Sequence, residues 1–522
     1  MTLTIDSARA RLITAALVLT VVACDGAPRA MDVVEASIVQ IQDEILSGRT
    51  TCRLVVQAHL DRIAVYDEAT VNAITVVNPN ALARADEIDA SIEAGDELGP
   101  LFCAPLLVKD NFDTHDLPTT GGSIALMGSI PPDDAFMVRR IREADAIVIA
   151  KTNMAEWAFS PRQTVSSSYD TTANAYALDR VPAGSSGGTA SGVAASFGVA
   201  GLGSDTGNSI RGPSSHLALV GIRSTIGLTS RDGVIPLAFD RDIAGPMARS
   251  VEDAARMFNV VAGYDPADPY TEAGRGRKEA DYTVALDEDG LRGARLAVMR
   301  DLVDTESADT AVVRVFEQAV ADLARLGAEI VDPFDFNLQQ ERRRPNMSCR
   351  RFRYDMYVYL ESLGDAAPIR DVLEVLETGQ YSDYAEGSLR RNEGTPLDVH
   401  PADRDPPCLD YLENEGRQAF LSALVAAMDA ARVDAVIYPT WLNPPAHIDR
   451  GREEYAGDNS QVIAPETGMP AITVPMGFTY GRLPAGLQIL ARPYDELLLF
   501  RLAYAFEQGT HHRVPPEGFP AL

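Results

Sequence analysis

Positive charge is what this sequence has least of. Its 46 lysines and arginines face 75 aspartates and glutamates, and the net charge of −29 repels nucleic acid and leaves no basic face for phosphates. Its five cysteines and seven histidines include no Cys-x-x-Cys and no His-x-x-x-His spacing, so no metal site is expected. A Walker-type phosphate loop and an internal repeat are missing too, and no cofactor is expected. The apolar run from Leu12 to Ala23 is too short to span a bilayer as a helix. What is there is globular: 522 residues, 46% hydrophobic and 23% charged, suffice for a large core in one or two domains.

The first residues differ in kind from the rest. Arg9 and Arg11 precede the apolar run, which stops at Cys24, and this order reads as a signal peptide over residues 1–23. Val21, Val22, Ala23 and Cys24 resemble the lipobox of bacterial lipoproteins, in which the cysteine is lipidated and becomes the mature N-terminus. The expectation is export to the periplasm or cell envelope, anchoring through Cys24, and a short linker over 24–34. Plain secretion, or a cytoplasmic protein translated from Met31, are the alternatives. Export places Cys52, Cys103, Cys349 and Cys408 in an oxidising compartment as disulfide candidates. Pairing Cys52 with Cys103 and Cys349 with Cys408 keeps each bridge within one region of the chain; four buried thiols are the alternative.

Periodicity gives the fold class. Cys52, Val55, Val56, Leu60 and Ile63 recur at three and four residues, one apolar stripe of a helix. Short apolar runs at Leu106 to Val108, Ile147 to Ala150 and Val199 to Leu202 read as buried strands, separated by helical stretches at Ala135 to Glu143 and Thr189 to Ser196. More strands are expected at Arg295 to Met299, Ala435 to Tyr438, Ala471 to Val474 and Gly486 to Leu490. The alternation predicts an α/β protein, a large mixed β-sheet covered by helices on both faces. Over residues 332–416 strand signals vanish, and charged helical segments such as Arg370 to Glu377 predict a helical insertion or cap.

Chemistry concentrates in two glycine-serine loops, Pro182 to Gly188 and Gly203 to Arg211. Small residues at this density let backbone amides approach a ligand, which an anion- or oxyanion-binding turn requires. Asp205 and Arg211 read as a charge pair that fixes the second loop. Gly184, Ser185, Ser186, Gly187 and Gly188 also satisfy the Gly-x-Ser-x-Gly of conventional serine hydrolases, with Ser186 as nucleophile and His216 as a conceivable base. The polar, proline-broken stretch Asp179 to Pro182 is, however, no strand leading into a nucleophile elbow.

The first loop resembles the glycine-serine box of the amidase signature family, and the second resembles the stretch that carries its nucleophile, with Ser185 and Ser209 24 residues apart. Leu107 to Asn111 looks like the family's catalytic-lysine motif, Lys151 to Glu156 like another of its boxes, and Gly468 to Ala471 and Gly486 to Gln488 like its C-terminal strands. The likeness extends over residues 35–515. It implies a Ser209 nucleophile, a bridging Ser185 on a cis peptide bond, Lys109 as base, and an oxyanion hole from the amides of Thr206, Gly207, Asn208 and Ser209. Asn208 and Ala183 depart from the pattern, where glycine is common. The implied activity is hydrolysis of small apolar or aryl carboxylic amides through a serine acyl-enzyme, with esters or carbamates as further substrates. Trp441, Tyr438, Phe112 and Met127 are candidate acyl-pocket residues, although side chains of these types more often belong to the core. An amidotransferase subunit releasing ammonia from glutamine for a partner, or a silent binding protein on the same fold, are the competing readings.

Overall fold

The computed structural model describes residues 27–345 and 347–522. The expected signal peptide, residues 1–23, and Cys24 lie outside them. Along the chain run β1 (Ile74–Val77), β2 (Pro105–Lys109), β3 (Ile147–Thr152), β4 (Val165–Ser166), β5 (Asp170–Thr171), β6 (Ala200–Asp205), β7 (Val220–Arg223), β8 (Ile243–Ala248), β9 (Arg295–Val298), β10 (Glu329–Val331), β11 (Ala435–Pro439), β12 (Ala471–Thr479) and β13 (Leu483–Ala491). β4 and β5 form a separate ribbon. The other eleven make one mixed sheet in the order β1, β3, β2, β6, β8, β7, β12, β13, β11, β9, β10.

β2, β3, β6, β7, β8, β11 and β13 are buried at every position, so helices must cover both faces, as the unbroken apolar runs predict. All seven strands expected from the sequence are present, and β12 and β13 run longer than their apolar cores. Four sheet strands are not among those expected. β1 and β10 are short, partly exposed edges; β7 ends on Arg223; β8 contains Gly245 and Pro246, which weaken any strand reading.

The helix Cys52–Tyr66 buries Cys52, Val55, Val56 and Ile63, and Thr51 caps it by accepting from the Leu54 N–H. The helix expected at Arg370 to Glu377 begins only at Glu374. Glu374 Oε1 accepts from the N–H of both Arg370 and Asp371, which holds the preceding residues in a turn. Across 332–416 the described residues hold short helices, among them Phe352–Ser362 and Asp383–Arg390, and no strand. This layer rests on the loops that follow β2 and β3: Tyr359 donates to Asp113 at 2.7 Å, and the Ser382 N–H donates to Glu156 at 2.7 Å. Cys52 is bonded to Cys103 and Cys349 to Cys408, with Cα separations of 5.5 and 5.8 Å.

Candidate active site

β3, β2 and β6 lie side by side and parallel, so their C-terminal ends reach one edge of the sheet, where open α/β sheets place their ligand sites. Lys109 is the last residue of β2, and Ser204 and Asp205 close β6. The helix Gly187–Ala194 packs behind them: Thr189 donates to the Leu202 carbonyl at 3.2 Å and shares a 2.7 Å hydrogen bond with Thr152. That packing brings the loop just before the helix, with Ser185, over the end of β2. The Gly184–Ser185 peptide bond is cis. A Cβ on Gly184 would run into the carbonyl oxygens of Ser160 and Gln163, so only glycine fits there.

Lys109 is fully buried, and its Nζ lies 2.7 Å from Ser185 Oγ and 2.8 Å from Ser204 Oγ. Burial depresses its pKa to about 7, against the attraction of Asp205 and Asp242, so near neutrality a large fraction is the free amine. Asn111 Nδ2 donates to Ser204 Oγ at 3.0 Å and fixes the second contact of the lysine. Ser209 Oγ donates to its neighbour Asn208 Oδ1 at 3.3 Å, and no hydrogen bond joins it to Ser185 among the described residues. The structure thus brings Lys109 and Ser185 together and holds the Ser209 hydroxyl on Asn208.

The loop after β6 is organised around one carboxylate. Asp205 pairs with Arg211 and with Arg223, each at 3.1 Å, and accepts from the N–H of Ile210 at 3.2 Å. Arg211 also donates to the Gly207 carbonyl at 2.7 Å and to Gln488 at 3.0 Å, which ties the loop to β13. Thr206 Oγ1 donates to Asp242. Among the described residues no acceptor is bonded to the N–H of Thr206, Gly207, Asn208 or Ser209, which leaves these groups free for an oxyanion. Asn208 is not in the left-handed region, so glycine is not required there; Ala183 is, with φ 66°, a position that glycine adopts at lower cost.

Burial alone pushes Asp205 up, but the two guanidiniums outweigh it and hold its pKa at about 2. Because the folded-state value is depressed, the stability this group contributes is complete above about pH 4 and is lost as pH falls toward 2. Asp205→Asn leaves two buried guanidiniums uncompensated and is expected to cost about 3–5 kcal/mol. Urea unfolding at pH 7 reads the loss, and the gap between wild type and variant should close as the pH approaches 2.

The conventional hydrolase arrangement is not built. Ser186 is fully buried and donates to the Ser204 carbonyl at 3.2 Å. His216 bonds no serine of the site; its ring lies 4.6 Å from that of Trp441, and burial depresses its pKa to about 3. Lys151, the second buried lysine, has its Nζ bonded to the carbonyls of Phe112 and Pro118 and the hydroxyls of Thr114 and Thr119, and it braces that loop.

A cavity of about 160 Å³ reaches Ser209 and the 206–208 loop, with Phe159, Pro161, Leu237 and Gln461 in its wall. None of the acyl-pocket candidates lines it. Phe112 and Tyr438 are fully buried, Trp441 stands behind the nucleophile loop against Gly212, and Met127 is 44% exposed. Sequence alone gives Ser204, Asn111 and Arg223 no role; the signal available was that Ser204 and Asn111 fall inside the two motifs that carry Asp205 and Lys109.

The amidase family model matches residues 54–500, and the chain belongs to the amidase family. It is an amidase, a hydrolase of carbon–nitrogen amide bonds, on a large mixed sheet flanked by helices. Among curated proteins, a glutamyl-tRNA(Gln) amidotransferase subunit from Cyanothece sp. is 32% identical over 504 residues, covering 92% of this chain and 99% of that protein. Its counterpart from Symbiobacterium thermophilum is 34% identical over 494 residues, covering 91% and 96%. Among solved structures, the native peptide amidase from Stenotrophomonas maltophilia superposes with a TM-score of 0.80 at 33% identity, covering 93% of this chain and 99% of that one.

Proposed function

We propose that the protein hydrolyses carboxylic amides as an independent enzyme, through an acyl-enzyme on Ser209 with Ser185 and Lys109 as its proton relay. The observation that carries this reading is the buried Lys109 Nζ, 2.7 Å from Ser185 Oγ, with burial lowering the pKa of the amine to about 7. When an amide carbonyl enters, the Ser209 hydroxyl leaves Asn208 for Ser185, Ser185 passes its own proton to Lys109, and the new oxyanion takes the free N–H groups of the 206–209 loop. The proton returns by the same route to the departing nitrogen. Phe159, Pro161 and Leu237 give part of the cavity wall an apolar surface that suits small apolar or aryl groups beside the reacting bond, while Thr206, Gln461 and Glu466 make the rest polar, and esters or carbamates can follow the same acyl route.

The curated relatives named as amidotransferase subunits support a second reading, in which the chain releases ammonia from glutamine for a partner. Turnover of anilides and primary amides by the isolated chain supports the first reading. Activity with glutamine only, or only in a co-purified complex, supports the second.

We infer export and anchoring through Cys24 from the N-terminal sequence, and the two bonded cysteine pairs suit an oxidising compartment. Wild type should enter the detergent phase on partitioning and Cys24→Ala the aqueous phase. Aqueous partitioning of both would remove the anchor.

A further inference from the structure

Beside the cavity at Ser209 lies a second, outer chamber of about 250 Å³, and the two share Phe159, Thr206, Leu237 and Arg241 in their walls. The outer walls are unlike the inner ones. They carry four arginines, Arg241, Arg350, Arg351 and Arg391, and no carboxylate, in a protein of net charge −29. Two of the four are already engaged: Arg241 pairs with Glu466 at 3.1 Å, and Arg351 with Asp355 at 2.7 Å and Asp410 at 2.8 Å. The other two are not. Arg391 Nη2 donates to Ser388 Oγ at 2.6 Å, and neither Arg350 nor Arg391 forms an ion pair among the described residues. Both side chains are exposed and border the same chamber.

Two uncommitted guanidiniums at the mouth of a catalytic cleft present the planar forks that recognise carboxylates, and a cleft lined by one sign of charge concentrates its counter-ion. The mouth is held in shape. Arg350 and Arg351 follow Cys349, which is bonded to Cys408, while Arg351 is anchored to Asp355 on the helix Phe352–Ser362. Arg350 therefore projects from a fixed backbone. Ser209 does not line the outer chamber, so an anion there sits one cavity away from the reacting carbonyl.

Resting on the amidase reading above, we propose that the preferred substrates are amides carrying a carboxylate, which Arg350 and Arg391 hold in the outer chamber while the scissile carbonyl lies at Ser209. The inner cavity takes the segment between the two groups. A short amide with no remote anion fills only the inner part and is the poorer substrate.

The test compares two p-nitroanilides that differ only in the cap, succinyl-phenylalanine against acetyl-phenylalanine. Wild type should favour the succinyl compound by about tenfold in kcat/KM, a preference that falls as salt rises because the contact is partly exposed. Arg350→Ala with Arg391→Ala should bring the ratio to about one, and the corresponding double lysine variant should keep part of it. The same ratio is read independently from labelling rates at Ser209 with a carboxylate-tipped and a plain alkyl fluorophosphonate. A wild-type ratio near one, or a preference that survives the double alanine variant, overturns the subsite while hydrolysis and labelling leave the amidase reading standing. Failure of Ser209 to label overturns that reading, and the subsite with it.

Discussion

Ser209→Ala is expected to abolish amide hydrolysis, with a loss on the order of 10⁴-fold or more, and to leave the fold intact. The asymmetry follows from what the side chain does in the resting enzyme. Its hydroxyl makes one hydrogen bond, to Asn208 at 3.3 Å, so removing it costs about 0.5–1.5 kcal/mol of stability. In catalysis the same oxygen is the atom that becomes acylated, and no neighbouring group replaces it. A fluorophosphonate should label wild type on a single peptide containing Ser209 and should leave the variant unlabelled. Label on Ser186 would return the conventional arrangement, against the burial of that hydroxyl and its bond to the Ser204 carbonyl.

Lys109→Ala should be almost as severe, and it should change the shape of the pH profile as well as its height. Lysine accepts a proton only when neutral, and burial has brought its pKa to about 7. In the free enzyme kcat/KM should therefore rise about tenfold per pH unit below 7 and level off above about 8. The lysine variant should lose that rise. Lys109→Arg should not restore it, since a guanidinium stays protonated at any working pH and cannot take the serine proton. His216→Ala should keep both the rate and the rise, because that ring bonds no serine of the site. Amides should suffer more than activated esters, since an amine leaving group needs its proton returned through Ser185 and a phenolate does not. A profile that flattens in the histidine variant and persists in the lysine variant would overturn the mechanism.

What could be read from sequence was whatever sits on short, continuous stretches. Lys109, Ser185 and Ser209 each lie in a motif a few residues long, and the buried strands β2, β3 and β6 announce themselves as apolar runs because both of their faces are covered. The supports of the site are different in kind. Arg211 meets Gln488 across 277 residues of chain, and Arg223 reaches Asp205 from the end of a strand of only four residues. β8 was illegible for a local reason, since Pro246 and Gly245 argue against a strand that its neighbours nonetheless pair on both sides. The Asp205–Arg211 pair could be foreseen because its partners are six residues apart, whereas the second arginine on the same carboxylate could not. The aromatic lining could not be assigned, because a buried aromatic looks the same from sequence whether it faces a cavity or the core, and Phe112 and Tyr438 took the core alternative. Phe159, which does line the cavity, follows two residues with positive φ, Trp157 and Ala158, that no propensity indicates.

The order of strands also bears on how the molecule comes to exist during synthesis. The sheet divides by chain position into one block from residues 74–248 and another from 295–491, and they meet only where β12 pairs with β7, Ala471 opposite Arg223, Ile472 opposite Ile222 and Thr473 opposite Gly221. Every residue of the proposed relay is therefore translated before the strand that closes its sheet. Until about residue 471 emerges, β7 is an unpaired edge carrying one of the two arginines that hold the nucleophile loop. A nascent chain stalled short of β12 would hold a complete set of reacting side chains and an open edge able to pair with another chain, so aggregation rather than premature hydrolysis is the hazard of incomplete translation.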